Sequence, residues 1–247
     1  FGDLRVDEVP HLAQAFELWP RHKLIAMHAE KQSVAVGIGL SAAYDRHVHF
    51  CHISRQEEIE LIAKAKAQAL KVSCEVCPHH LFLTYKETER LGAIADMRPV
   101  LGQQSDVDAL WEHINDTVDC IATDHAPHTL EEKRSATPPP GIVGLQTSLP
   151  LMLTAVANGR LTLERLIEMM HHTPRRLFDL PEQPNTHIEV DLNATYIIKT
   201  ADIHSKNGWT PFDGREVTGR VKKVVLRGTE VYSNGQLLEK AGRVIRN

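Results

Sequence analysis

The sequence predicts an α/β fold: part of a (β/α)8 barrel of the TIM type, followed by a small β domain. Three observations carry that prediction. Over the first 180 residues short apolar runs alternate with helical patterns, as in a parallel sheet. Three of the apolar runs end on an imidazole or a carboxylate, at His28, His52 and Asp124. Side chains from several strand ends converging on one spot are how barrels build their sites. Beyond about residue 180 the pattern turns to apolar–polar alternation with tight turns, the mark of antiparallel strands. The expected organisation is a barrel portion over 1–180 and a small β domain over 181–247.

The elements follow in order. Residues 7–18 carry an early proline and apolar residues at helical spacing, an amphipathic helix. Leu24–Met27 is a short strand running into His28-Ala29-Glu30. Ser33–Ala43 is a helix of small residues, suited to close packing. Val48–Cys51 is the next strand, ending on His52. Gln56–Leu70 is a helix with Ile59, Ile62, Ala63, Ala65 and Ala69 on one side and Lys64, Lys66 and Gln68 on the other. Val72–Val76 is a third strand, leading into Cys77-Pro78-His79-His80. Leu83–Met97 has little pattern, and Met97–Val100 is a short, interrupted strand candidate. Asp106–Ile114 is helical, and Val118–Ala122 is a strand entering Thr123-Asp124-His125-Ala126-Pro127-His128. Leu130–Gly144 is a loop stiffened by Pro138-Pro139-Pro140-Gly141. Leu145–Ala157 and Leu161–Met170 are apolar helices, and Thr173 opens a short one. After a Pro181–Asn185 linker, strands are expected at Ile188–Ile198, Val221–Leu226 and Thr229–Tyr232, with turns at Gly228 and Ser233-Asn234-Gly235.

Composition narrows the function. The chain has 247 residues, 42% hydrophobic and 24% charged, enough for a sizeable core. A net charge of −4 provides no basic field for nucleic acid. No apolar run reaches the roughly 18 residues of a membrane span, and no signal-peptide pattern precedes the first helix. Four cysteines in a chain this long do not make a disulfide framework, so a reducing, cytoplasmic setting is expected. Fifteen histidines is a high count and points to metal or acid–base chemistry. The chain opens at Phe1 without an initiator methionine, and only four or five βα units are found where closure takes eight. A piece of a longer protein is expected.

His28, His52 and Asp124 suit zinc or another borderline divalent ion. Any one of the histidines, taken singly, reads as a core imidazole bonded to backbone; three matching strand ends favour the metal. An acid beside a metal can also take a proton from bound water, whose pKa the ion lowers from 15.7 to about 7. Cys74-Glu75-Val76-Cys77, with Cys51-His52 and His79-His80 nearby in sequence, reads as a structural zinc site or as buried inert cysteines. Arg98 suits a substrate carboxylate or a surface ion pair. Pro140 and Gly141 offer backbone groups to a polar ligand. His113, His171 and His172 lie in or beside helices and read as surface or core residues.

Taken together the motifs resemble the dihydroorotases. Ala122-Thr123-Asp124-His125-Ala126-Pro127-His128-Thr129, then Glu131-Glu132-Lys133 and Pro138-Pro139-Pro140-Gly141, carry the resemblance most specifically. His28-Ala29-Glu30, Cys51-His52-Ile53-Ser54-Arg55, Cys74-Glu75-Val76-Cys77-Pro78-His79-His80-Leu81, Arg98-Pro99, His172-Thr173-Pro174-Arg175-Arg176 and Gly219-Arg220-Val221-Lys222 follow in the family's order. The similarity is strongest to the dihydroorotase domain of animal multifunctional pyrimidine-synthesis polypeptides. It implies a zinc amidohydrolase on a distorted barrel with an attached small β-sandwich. The implied reaction is the reversible cyclisation of N-carbamoyl-L-aspartate to L-dihydroorotate in pyrimidine synthesis.

By that resemblance His28 and His52 bind one zinc of a binuclear pair. Asp124 binds the other and shuttles the proton. Cys51 and Glu75 match ligands of a third zinc. Arg98 holds the substrate carboxylate, His128 helps to hold the substrate, and Pro140 and Gly141 supply backbone contacts. A homodimer is implied, with fusion to or association with aspartate transcarbamoylase and carbamoyl phosphate synthetase. The family's early His-x-His motif with its arginine, and its zinc-bridging carboxylated lysine, are expected upstream of Phe1, so that this piece alone is inactive. Gln146 stands where the family pattern has Glu. The alternatives are a dihydropyrimidinase- or allantoinase-like cyclic amidase and a catalytically dead scaffold homologue.

Overall fold

Each apolar run of the first half is followed by a helix that returns the chain, and parallel pairing results. The computed structural model describes residues 6–245, which divide into two units, one up to Gly144 and one from Leu145 onward. In the first unit, α1 (Val9–Leu18) precedes β1 (Ile25–His28), α2 (Gln32–Tyr44), β2 (Val48–Cys51), α3 (Gln56–Ala67) and β3 (Val72–Val76). Then come α4 (Pro78–Phe82), α5 (Tyr85–Leu91), α6 (Gln104–Glu112), β4 (Cys120–Ile121) and α7 (Leu130–Lys133). The four strands pair in parallel in sequential order, β1-β2-β3-β4. Sequential order is barrel-like winding; a doubly wound sheet reverses direction partway.

The register sorts the side chains by face. Ala26 lies opposite His49, His28 opposite Cys51 and His49 opposite Ser73. Alternation then places His28, His49, Cys51, Ser73 and Glu75 on one face, and Met27, Val48, Phe50, Cys74 and Val76 on the other. The second face is covered by helices. A Cβ built at Gly37 of α2 would stand 2.7 Å from the Phe50 ring and 2.9 Å from Met27 Sδ. That crowding explains why a small-residue helix sits here. On α3, Ile59, Ile62 and Ala65 are buried as expected, while Ala69 is exposed in a left-handed turn beyond the helix end.

Several expectations are corrected. Met97–Val100 forms no strand, and Pro99 has no N–H for a ladder. The weakly patterned Leu83–Met97 stretch contains α5, started by a box in which Glu87 accepts from Thr84 N and Oγ1. The predicted Leu130–Gly144 loop begins with α7, capped likewise by Thr129 and Glu132. The strand leading to Asp124 has only two paired residues.

Buried Glu58 ties the loops after β1 and β2 together. Its carboxylate accepts from Lys31 N at 2.7 Å and from Ser54 N and Arg55 N at 3.1 Å. Burial raises its pKa above the ordinary 4.5, and the three backbone donors only partly offset this. The folded chain then holds this proton more tightly than the unfolded chain. The stabilisation is full below about 4.5 and is lost as pH rises through the folded value. Urea midpoints measured across that window should fall with rising pH in wild type. In Glu58→Gln they should start lower and vary less.

The second unit combines helices with an antiparallel meander. It holds α8 (Leu145–Ala157), α9 (Leu163–Ile167), a wider π turn at Glu168–His172 and α10 (Thr173–Leu177). Four strands follow: β5 (His187–Ile197), β6 (Glu216–Leu226), β7 (Thr229–Ser233) and β8 (Gln236–Leu237), ordered β5-β6-β7-β8. Helix α8 lies on β6, where Gly219 at φ +103 would put a Cβ 2.6 Å from Leu153 Cβ, and Thr218 N donates to Thr154 Oγ1 at 2.8 Å. The hairpin turns use Arg227-Gly228 and Asn234-Gly235, all at positive φ, the backbone that two-residue turns require.

Candidate active site

The open end of the parallel sheet gathers the polar residues. His28 ends β1, and His52 is the first residue beyond β2. Their imidazoles meet edge to face, with His28 Nδ1 2.9 Å from His52 Nε2. His28 Nε2 also lies 3.3 Å from Glu30 Oε1. Glu75, on β3, stands beside them: His52 N approaches its Oε1 at 3.4 Å. Its Oε2 is 3.1 Å from His49 Nε2, and His49 Nδ1 is 2.8 Å from Ser73 Oγ, which is 2.9 Å from His47 Nε2. This line of bonds along the inner face fixes the Glu75 carboxylate from below.

Asp124 is exposed just past β4 and is an electrostatic neighbour of His52 and Cys51. Burial, followed by the charges of Glu75 and Asp124, pushes the Cys51 thiol up to about 12. Burial, then the facing His28, lowers the pKa of His52. Both His52, at φ 39, and Asp124, at φ 42, hold left-handed backbone that side-chain-bearing residues rarely adopt. Strain of this kind, at two strand ends, is characteristic of functional positions.

The structure gathers a second group around the loop after Asp124. Ala126 N donates to Ile142 O at 2.8 Å and Gly144 N to His125 Nδ1 at 3.1 Å, zipping residues 125–126 to 142–144. Gly141 N donates to Asp96 O at 2.8 Å, and Asp96 Oδ1 holds Arg98 Nη1 at 2.6 Å. Arg98, His128 and Pro140-Gly141 thus share one corner. Beneath it lies Lys133, 2% exposed, whose ammonium donates to the carbonyls of Asp96, Pro139 and Gly141. Sequence reasoning missed this clamp, because a lysine in a Glu-Glu-Lys run reads as a solvated charge. It likewise missed Glu58 and His49 as anchors.

Gly141 sits at φ +142, and a Cβ there would be 2.5 Å from Ala126 Cβ and 3.1 Å from His128 Cδ2. Gly141→Ala should lower the melting temperature and shift the His128 ring signals in NMR. Gly39→Ala, where nothing lies within 4 Å of the new methyl, should leave the melting temperature equal or higher.

A sequential parallel sheet carries imidazoles, carboxylates and a thiol at its open end, and solved structures like it give the class: an α/β fold of the amidohydrolase kind. Comparison with known proteins agrees. The inactive dihydroorotase-like domain of a Chaetomium thermophilum CAD-like multifunctional protein superposes with a TM-score of 0.80 at 28% identity, covering 96% of this chain and 66% of that one. An L-hydantoinase (dihydropyrimidinase) from Arthrobacter aurescens superposes at 0.79 with 25% identity, over 95% and 56%. No family model matches the chain. The multifunctional protein CAD of Squalus acanthias is 48% identical over 243 residues, 98% of this chain and 11% of that protein. The multifunctional protein pyr1-3 of Dictyostelium discoideum is 51% identical over 91% of the chain and 10% of its own length. A dihydroorotase from Macrococcus caseolyticus is 39% identical, over 84% and 51%. By sequence, the chain is homologous to the dihydroorotase region of the CAD-type multifunctional proteins. It spans about a tenth of those proteins and about half of the dihydroorotase.

Proposed function

We propose that this chain is the metal-bearing and substrate-binding part of a zinc-dependent dihydroorotase, which interconverts N-carbamoyl-L-aspartate and L-dihydroorotate. The observation that carries the reading is the approach of His28 Nδ1 and His52 Nε2 to 2.9 Å at neighbouring strand ends, with Glu75 and Asp124 in electrostatic reach of His52.

The residues fit a divalent ion. Two ring nitrogens converge, two carboxylates stand by, and a half-buried thiol, Cys51, sits between acids. Imidazole, carboxylate and thiolate together are zinc's donor set. In this reading His28 and His52 hold one ion, Asp124 reaches another, and Cys51 with Glu75 complete a third position. Bound there, zinc would acidify water and polarise the amide carbonyl.

The protein's own groups do the rest. Asp124 takes the proton from the attacking water and delivers it to the departing ring nitrogen; in ring closure it moves the proton back. Asp124 is exposed, at positive φ, just past the strand end. Arg98 trades Asp96 for the substrate carboxylate. His128 and the backbone at Pro140-Gly141 hold the ring amide, with Lys133 keeping that loop rigid. In the whole protein, Arg98→Ala should raise KM for dihydroorotate about 10-fold or more while barely changing turnover, the loss of one charge-assisted contact. Equal turnover of dihydroorotate and neutral dihydrouracil by wild type would turn the assignment towards the dihydropyrimidinase-like alternative.

We further infer that the barrel portion runs to about residue 180 and that residues 181–247 complete a small β-sandwich. In support, exposed Ile188 and Leu192 lie on β5. The described parallel sheet has four strands where a closed barrel has eight, so activity is expected only from the whole protein. That protein is proposed to be a cytoplasmic homodimer, fused to or associated with aspartate transcarbamoylase and carbamoyl phosphate synthetase. No described helix is long and apolar enough to cross a membrane. A second reading, a dihydroorotase-like domain without activity, has the inactive Chaetomium domain behind it. Turnover by the whole protein decides between them.

A further inference from the structure

We propose that Cys77, His79 and His80 form a metal site of their own, distinct from the His28–His52–Asp124 centre and suited to zinc. The three residues flank the start of α4: Cys77 precedes it, and His79 and His80 lie in its first turn. Their donor atoms, one sulfur and two ring nitrogens, all lie within 4.8 Å of one another, and all three residues are buried.

Two details of bonding point to a ligand. His79 Nε2 and His80 Nδ1 are buried and have no hydrogen-bond partner. An orphaned buried polar atom costs roughly 1–3 kcal/mol unless something meets it. The far side of His80 is already committed, with Nε2 3.0 Å from the carbonyl oxygen of Pro99. A carbonyl only accepts, so the proton sits on Nε2 and Nδ1 presents its lone pair. Metal-bound histidines are held in the same way, one nitrogen on backbone and the other on the ion. The two rings meet edge to face with centroids 4.3 Å apart, so the two imidazoles are direct neighbours.

The donor set selects the ion. One thiolate and two imidazoles suit zinc-class metals; magnesium and calcium want oxygen. On binding, the Cys77 S–H bond breaks, the proton leaves to solvent and an S–Zn bond forms. The two histidines coordinate as neutral rings. Three protein donors leave a fourth position. His52, whose Nδ1 is also buried without a partner, is an electrostatic neighbour of both His79 and His80. The site is therefore adjacent to the proposed catalytic centre. Cys74, the other half of the Cys-x-x-Cys pair, takes no part: its Sγ is 3.5 Å from Thr117 O, on the face turned to the helices.

The test is zinc stoichiometry of the purified whole protein by mass spectrometry, together with Co2+ substitution read through the sulfur-to-cobalt charge-transfer band. Cys77→Ser and His79→Gln should each lower bound zinc by one ion per chain. Cys77→Ser should also remove its share of the charge-transfer band. Cys74→Ser, an equally buried thiol outside the cluster, should change neither. Unchanged zinc and an unchanged band in Cys77→Ser would overturn the proposal, as would a band lost entirely in Cys51→Ser. If Cys77→Ser does not fold, the zinc content of His79→Gln decides the matter on a chain that keeps the thiol. Loss of metal on changing His28 or Asp124 reports on the catalytic reading alone, so the two fail separately.

Discussion

In the whole protein, Asp124→Asn should lower kcat by about 10²–10⁴, the range a positioned general acid–base contributes. The change keeps the shape of the side chain and its place at the end of β4, so the fold should stand: Asp124 is exposed and takes no part in the core. What is lost is the ability to carry a proton between water and the ring nitrogen. KM should change far less than kcat, because binding falls to Arg98, His128 and the Gly141 loop. The check is steady-state kinetics in both directions across pH. Both directions should lose rate together in the variant, because one group carries the proton each way. A variant retaining a tenth or more of wild-type turnover would remove Asp124 from the chemistry.

The second large effect is expected at His52. His52→Ala removes one of two nitrogens that stand 2.9 Å apart and releases the backbone-strained turn at φ 39. Bound metal should fall by at least one ion per chain and activity should drop below detection, since the metal's contribution and the proton transfer act as a unit. His49→Phe should be milder. It removes the bond that orients Glu75 from beneath, and loss of such an orienting partner typically costs about 10–100-fold in metal affinity. Metal content and dissociation constants by competition with a chelator distinguish the two variants. Equal metal in His52→Ala and wild type would contradict the assignment.

Much of this is legible in the sequence. The period-2 and period-3.6 patterns place β1, β2, β3 and α3 to within a few residues, because each has one clear apolar face. The apolar runs into His28, His52 and Asp124 mark the candidate site, since parallel strands aim their C-terminal ends at a common opening. What the sequence hides depends on long-range bonding. Helix α5 is short and buries none of its residues, so its only local sign is the Thr84–Glu87 box. Met97–Val100 resembles a strand because its residues are mostly apolar, yet the chain there bends to present Arg98 next to Asp96. Lys133, Glu58 and His49 are polar residues whose partners lie far along the chain, and no local pattern encodes such a partner. The Cys-x-x-Cys spacing does not reveal which way each thiol faces. Strand alternation sends Cys74 to the helices, and only the three-dimensional turn after β3 brings Cys77 to His79 and His80.

The central claim is that the ring nitrogens of His28 and His52 share a metal ion. Anomalous diffraction at the zinc edge, from crystals of the whole protein grown with zinc, tests it most directly. An anomalous peak is expected within bonding distance of both His28 Nδ1 and His52 Nε2, and a further one at Asp124. Electron density showing the two imidazoles joined only to each other, with no anomalous signal between them, would contradict the claim.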